Sequence, residues 1–144
     1  MRPTYHVILS GGVTAVFSIW VRSWDALAAC FLSGIFIDLD HHLDYFIATK
    51  KIPFSYSKLL NFFQSDKWSK VYFFLHSYEV ISLIWVSIFV FDLNAVWLGV
   101  AVGFTGHLFC DEIANPLSPL SYFLIYRAKN RFDRKAFFKK GHDH

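Results

Sequence analysis

With 144 residues the chain has room for one domain, yet 55% of it is hydrophobic and 20% aromatic, with 17 Phe and 5 Trp, more rings than a soluble core of this size readily hides. Only 17% of residues are charged, the net charge is +3 and the mean hydropathy is +0.37, so apolar segments alternate with strongly polar ones. Cys30 and Cys110 form no CxxC pair, which argues against a structural thiolate zinc site. Both read as free thiols in apolar runs.

Four apolar segments follow one another. The first runs from about His6 to Val21, with only Arg2 before it and no small-x-small site after it; it reads as a retained helix rather than a cleavable signal. The second starts near Trp24, is apolar to Ile37 and then turns abruptly polar in DLDHHLDYF. The third, about Val71 to Phe91, carries His76 and Glu79; the fourth, about Leu93 to Ile113, carries His107, Asp111 and Glu112. Between the second and third lies a loop with Lys50, Lys51, Lys58, Lys67 and Lys70, broken by Pro53, in which LLNFFQ is amphipathic and suited to rest on a membrane surface. Asn115, Pro116 and Pro119 end the fourth segment, and an aromatic, basic stretch follows.

The expected fold is therefore all-α: a four-helix transmembrane bundle with an amphipathic basic C-terminal helix, in a single integral-membrane domain over residues 1–144. Helices are expected at about 5–22, 24–46, 70–91 and 93–114, with the tail helix at about 119–140. A spanning helix needs about 20 apolar residues, and the first two segments reach that only if their polar ends lie at the interface or in a wet cavity. With all four spanning, Arg2, the five loop lysines and seven basic residues after Pro119 fall on one side and only Arg22 on the other. Lys/Arg-rich loops are cytoplasmic, so the chain is expected to be integral to the cytoplasmic (inner) membrane with both termini in the cytoplasm and its basic groups against the anionic inner leaflet. The competing expectation, a soluble basic protein that binds nucleic acid, fits the tail but not this segregation.

On that map His6, the Asp38–Asp44 cluster, the pair His76 and Glu79, and the pair His107 and Asp111 all fall at the cytoplasmic end. Helical spacing puts His107 with Asp111, Asp38 with His41, and His76 with Glu79 on shared faces. These faces continue as small or polar stripes: His6, Ser10, Thr14, Ser18; Cys30, Gly34, Asp38; Gly99, Gly103, His107, Asp111. Ionisable groups at membrane depth need partners. A divalent metal satisfies several carboxylates at once, and mixed His/Asp donors suit zinc, with manganese or iron as alternatives. The expected ligands are His6, Asp38, His41, His76, His107 and Asp111. Their number leaves room for two ions, the arrangement that clamps the attacking and leaving oxygens of a displacement. Asp40 lies off the Asp38–His41 face, where it supports a ligand or binds a second ion; Asp40 and Glu79 are the expected catalytic proton acceptors, with Glu79 as a bridging ligand the alternative. His42 and Asp44 read as solvated helix-end residues, and His142 and His144 as unrelated tail residues.

The order His6, Gly11, Gly12, then GIFIDLDHHLDYF, HSYE and GHLFCDEIANP resembles the YdjM-like family of membrane-bound metal-dependent hydrolases, over most of the first 116 residues. By that resemblance Asp38, Asp40 and His41 match the family's DxDH group, His76 the histidine of its Thr-His-Ser motif, and His107 and Asp111 its late pair. The chain departs from the pattern at Ile37, where Pro is usual, at Leu75, where Thr is usual, and in lacking the preceding His-Arg-Gly.

The resemblance implies a membrane hydrolase in which metal-activated water attacks a phosphoester or related ester, with a small-molecule or lipid-linked substrate. The alternative is a metal-binding membrane protein without chemistry, in transport, sensing or an adaptor role. An ion path would need polar groups through the midplane, for which Ser10, Thr14 and Ser18 are thin evidence. An adaptor would use the polar cluster as a hydrogen-bonded staple.

Overall fold

The computed structural model describes residues 3–52, 55–65, 68–115 and 117–137. Arg2, Pro53, Lys67, Pro116, Lys139, Lys140, His142 and His144 lie outside the described residues. Within them the fold is all-helical, as expected. The helices are α1 (Pro3–Phe17), α2 (Trp24–Phe36), α3 (Leu39–Thr49), α4 (Tyr56–Gln64), α5 (Tyr78–Val90), α6 (Ala95–Ala114) and α7 (Leu124–Lys129). Short 3-10 turns occupy Pro119–Tyr122 and Arg134–Ala136, and the β-pairing described is an isolated antiparallel bridge of Lys70 with Asp133. The chain divides into two compact units, residues 3–37 with 78–115, and residues 38–77 with 117–137.

The first unit holds α1, α2, α5 and α6. Ser23 caps α2, its side chain accepting from Ala26 N at 3.4 Å, and Asn94 caps α6, accepting from Val96 N at 3.1 Å. Small residues then decide the packing. A Cβ at Gly99 would overlap the Ala26 carbonyl, and one at Gly103 would overlap the Cys30 carbonyl and the Ser33 hydroxyl. Glycine there lets two helix backbones touch. Because Ala26 meets Gly99 and Cys30 meets Gly103, α2 and α6 run in the same direction. Helix α1 runs against both: Ser10 meets Gly34, Val13 meets Gly106, and Phe17 packs with Ala26 and Cys30. Helix α5 runs against α6, with Trp85 Nε1 donating to Thr105 Oγ1 at 3.1 Å and the Tyr78 hydroxyl donating to Glu112. The starts of α1 and α5 and the ends of α2 and α6 therefore share one end of this unit. Cys30 is a buried free thiol and Cys110 a half-buried one.

In this unit polar residues are buried alongside apolar ones, while large apolar residues stand exposed. His6, Ser10, Ser33, His107 and Asp111 are buried, whereas Trp24 is 86% exposed, Phe89 77%, Trp20 73% and Ile113 71%. Two helical stretches, Trp24–Thr49 and Ala95–Ala114, are long and apolar enough to cross a membrane; the apolar helices Tyr5–Phe17 and Tyr78–Val90 are shorter.

In the second unit Trp68, Val71 and Phe137 form a core lined by Phe62, Phe63, Phe73, Leu117, Tyr126 and Ala136. Helix α4 contains the amphipathic LLNFFQ, but its apolar side is taken up by protein: Leu59 is 2% exposed, and Phe62 and Phe63 pack on that core. The segment after Pro119 is not one helix. It folds back on residues 69–71, with Val71 N donating to Phe132 O at 2.9 Å and Arg134 N donating to Ser69 O at 2.9 Å. Arg131 and Phe132 take positive φ (54° and 59°) to make the reversal, and the Arg134 guanidinium covers the Trp68 ring at 4.6 Å. Two further boundaries differ from expectation. The second segment is interrupted after Phe36 and restarts as α3 at Leu39, and the third begins at Tyr78 rather than near residue 70. Residues 71–77 stay out of helix because side chains from elsewhere in their own unit satisfy their backbone groups.

Crowding at the glycines is testable. Gly103→Val should cost about 2 kcal/mol by overpacking, lowering the melting temperature of the detergent-solubilised chain followed by tryptophan fluorescence. Gly11→Ala, where nothing lies within 4 Å of an added Cβ, should leave the melt unchanged or raise it.

Candidate metal centre

In the first unit His6 comes from the first turns of α1 and His107 and Asp111 from the last turns of α6, one helical turn apart on the same face. All three are at least 93% buried. The His6 and His107 rings stack, centroids 4.5 Å apart and planes 14° from parallel. His107 Nε2 lies 3.5 Å from Asp111 Oδ2. One ligand atom from each residue falls within 4.8 Å of the others, the spacing of a metal's donors.

The tautomer of His107 follows from its other nitrogen. Nδ1 sits 2.6 Å from the Gly34 carbonyl oxygen, and a carbonyl only accepts, so Nδ1 carries a proton and donates it. In a neutral ring that leaves a lone pair on Nε2, aimed at a carboxylate oxygen. A proton on Nε2 or a metal ion would each suit this pair. A backbone carbonyl holding the far nitrogen is the usual outer support of a metal-ligating histidine. Two imidazoles and one carboxylate match the protein ligands of a catalytic zinc site, which keeps a fourth position open. The donors present fit a divalent ion.

The second unit gathers Asp38, Asp40, His41 and His76. Asp38 is the N-cap residue of α3, and Asp40 lies in that helix's first turn, 3% exposed. Oδ2 of Asp40 accepts from Leu75 N, from His76 N at 3.1 Å and from His76 Nδ1 at 3.3 Å. His76 is therefore held like His107, with Nδ1 engaged and Nε2 turned to a second carboxylate, Asp38 Oδ1, at 3.6 Å. His41 is half-buried, its ring stacked on Phe73 at 4.5 Å and tilted against His76 at 5.1 Å. Asp40, expected as a proton acceptor, is engaged in orienting His76.

His76 precedes α5 instead of lying in its first turn, so it shares no helical face with Glu79. Glu79 is half-buried in the first turn of α5, beside Tyr78, whose hydroxyl reaches Glu112 in the last turns of α6. Glu79 thus stands at the same end of the first unit as His6, His107 and Asp111.

Two residues matter more than their sequence context suggests. Asp44, expected to be solvated, is 3% exposed and accepts from Tyr72 N at 2.8 Å and Phe73 N at 3.4 Å. It is four residues after Asp40 and so on the same side of α3, the one local sign that both carboxylates face inward. Arg127, in α7, is 2% exposed, and its guanidinium donates to the carbonyls of Tyr72, Phe73 and His76. No local pattern sets it apart from the other basic residues of the tail. Together the three side chains clamp residues 72–76 from both sides, carboxylates on the N–H groups and guanidinium on the carbonyls. His42 is exposed, as expected.

No family model matches the chain, and no curated protein or solved structure matches it.

The clamp predicts a local effect. Arg127→Met leaves buried carbonyls without their donor and should cost about 3 kcal/mol. Amide hydrogen exchange at Leu75 and His76 should accelerate in that variant before exchange within α6 does. Uniform acceleration across both would show that Arg127 does not hold this loop in particular.

Proposed function

We propose that the chain is an integral membrane metal-dependent hydrolase acting on a phosphoester or related ester of a small or lipid-linked substrate. The observation that carries the proposal is the buried grouping of His6, His107 and Asp111, with one ligand atom of each within 4.8 Å of the others. His107 Nδ1 lies 2.6 Å from the Gly34 carbonyl and its Nε2 lies 3.5 Å from Asp111 Oδ2, beside the stacked His6 ring. His6, His107 and Asp111 would hold the ion, zinc in the first instance, with manganese or iron compatible with the same donors. When bound, such an ion supplies a Lewis acid and acidifies water.

Around it the protein's own groups divide the work. The Gly34 carbonyl fixes the His107 ring, and the close packing of α1, α2 and α6 keeps the donors dry. Glu79, half-buried at the same end of its unit, is the carboxylate assigned to take the water's proton. His76, oriented by Asp40 and facing Asp38, would offer two donors toward a second ion. Membrane placement is supported by the two helices long enough to span and by the exposure of Trp20, Trp24, Phe89 and Ile113 beside buried histidine and aspartate. If all four apolar segments cross, nearly all basic residues fall on one side, which supports a reading with both termini in the cytoplasm. The ordered resemblance of His6, GIFIDLDHH, HSYE and GHLFCDE to the YdjM-like family points to the same chemistry.

Elemental mass spectrometry on the detergent-purified chain, with a phosphoester and phospholipid hydrolysis panel, tests both halves. Stoichiometric metal should be lost in His107→Ala and Asp111→Ala. Hydrolysis should be abolished by chelator, restored by zinc, and reduced about 100-fold or more in Glu79→Gln with metal retained. Full metal in His107→Ala would overturn the site. Metal present with no hydrolysis across the panel would leave a metal-binding membrane protein without chemistry.

A further inference from the structure

Apart from both histidine clusters, the second unit contains an open cavity of about 490 Å³ lined by Tyr45, Phe46, Lys50, Lys51, Ile52 and Lys58. We infer that this cavity binds the phosphate of an anionic glycerophospholipid, with the lysine ammonium groups on the phosphate and Phe46 and Ile52 against the start of the acyl chains.

The cavity is built by the end of α3 and the start of α4. Lys50 closes α3 in the left-handed conformation (φ 56°), its N–H donating to Phe46 O at 2.8 Å. A residue with a side chain is strained there, where glycine is the usual choice. The turn is pinned by Thr49, whose Oγ1 donates to Tyr45 O at 2.8 Å and accepts from Lys51 N at 3.3 Å. Lys50 and Lys51 are thereby presented on a fixed turn, and Lys58 joins them from α4.

Three like charges lining one concavity repel one another. Among the described residues no carboxylate pairs with any of them. An anion of high charge density relieves that repulsion, and phosphate is the group that lysine point charges bind well. A free phosphate would need nothing more. Here the lining is also apolar: Ile52 is 65% exposed and Phe46 44% exposed. Ammonium groups beside exposed aliphatic and aromatic surface fit a ligand charged at one end and greasy at the other, the composition of a headgroup boundary. The inference uses none of the metal ligands and stands independently of the hydrolase proposal.

The test is native mass spectrometry of the full chain in detergent, titrated with phosphatidylglycerol or phosphatidylcholine, alone and against inorganic phosphate or glycerol phosphate. Phosphatidylglycerol adducts should form selectively. They should weaken roughly 100-fold in the triple variant Lys50→Ala, Lys51→Ala, Lys58→Ala, which alters exposed side chains and should melt like the wild type. Lys70→Ala, which removes an exposed lysine outside the cavity, should bind lipid like the wild type, and metal content should be the same in all. Equal binding of phosphatidylcholine, or unchanged affinity in the triple variant, would overturn the inference. Displacement of the lipid by millimolar inorganic phosphate alone would overturn it in favour of a soluble phosphate ligand.

Discussion

The closeness of α2 and α6 is the constraint on which the first unit depends. Gly99 and Gly103 have no Cβ to hold the Ala26 and Cys30 carbonyls away, so the two backbones come into contact. Only then can an imidazole on α6 reach a carbonyl on α2. The 2.6 Å bond from His107 to Gly34 is a product of that approach, and the bond in turn sets which nitrogen faces Asp111. Glycines one and two turns before His107 thus set what its ring can reach. Ser33 seals the same contact, its hydroxyl lying 3.1 Å from Cys30 O and 3.3 Å from Val100 O.

The second unit solves a different problem. Residues 71–77 are neither helix nor strand, yet Val71, His76 and Ser77 are buried, and buried backbone groups must be paired. Asp40 and Asp44 serve the N–H groups and Arg127 the carbonyls. Carboxylates on one side and a guanidinium on the other also offset each other's charge, which is how such groups are tolerated at 2–3% exposure. Orientation of His76 comes with the same arrangement, because Asp40 serves both the loop backbone and the ring.

Much of the first unit was legible in the chain. The stripe Gly99, Gly103, His107, Asp111 reads directly as the inward face of α6, and the pairing of His107 with Asp111 follows from a spacing of four. The helix expected from about residue 93 begins as α6 at Ala95. The second unit was far less legible, for a physical reason. Periodicity extended the third helix back to residue 70 because its residues are apolar, but long-range side chains compete successfully for that backbone. Asp38 stands outside α3 as its N-cap, and the histidine it shares with Asp40 is His76, a pairing that no helical spacing shows. Arg127 lies 51 residues from His76, beyond the reach of any local pattern. The tail's aromatic and basic residues suit an amphipathic helix equally well until Val71 and Ser69 claim Phe132 and Arg134 as partners.

The stacked pair His6 and His107 has a consequence for assembly. The two rings lie about a hundred positions apart in the chain, at the first helix and the sixth. During synthesis α1 and α2 can pair early, since a short connection joins them, but the third donor wall is missing until α6 has emerged. The cluster therefore closes only after α6 has been made. Until then His6 waits at the end of a helix with only half of its surroundings made. A chain truncated before residue 107 can keep the α1–α2 hairpin and still contain no trace of the centre, so the presence of that cluster reports completion of the whole first unit.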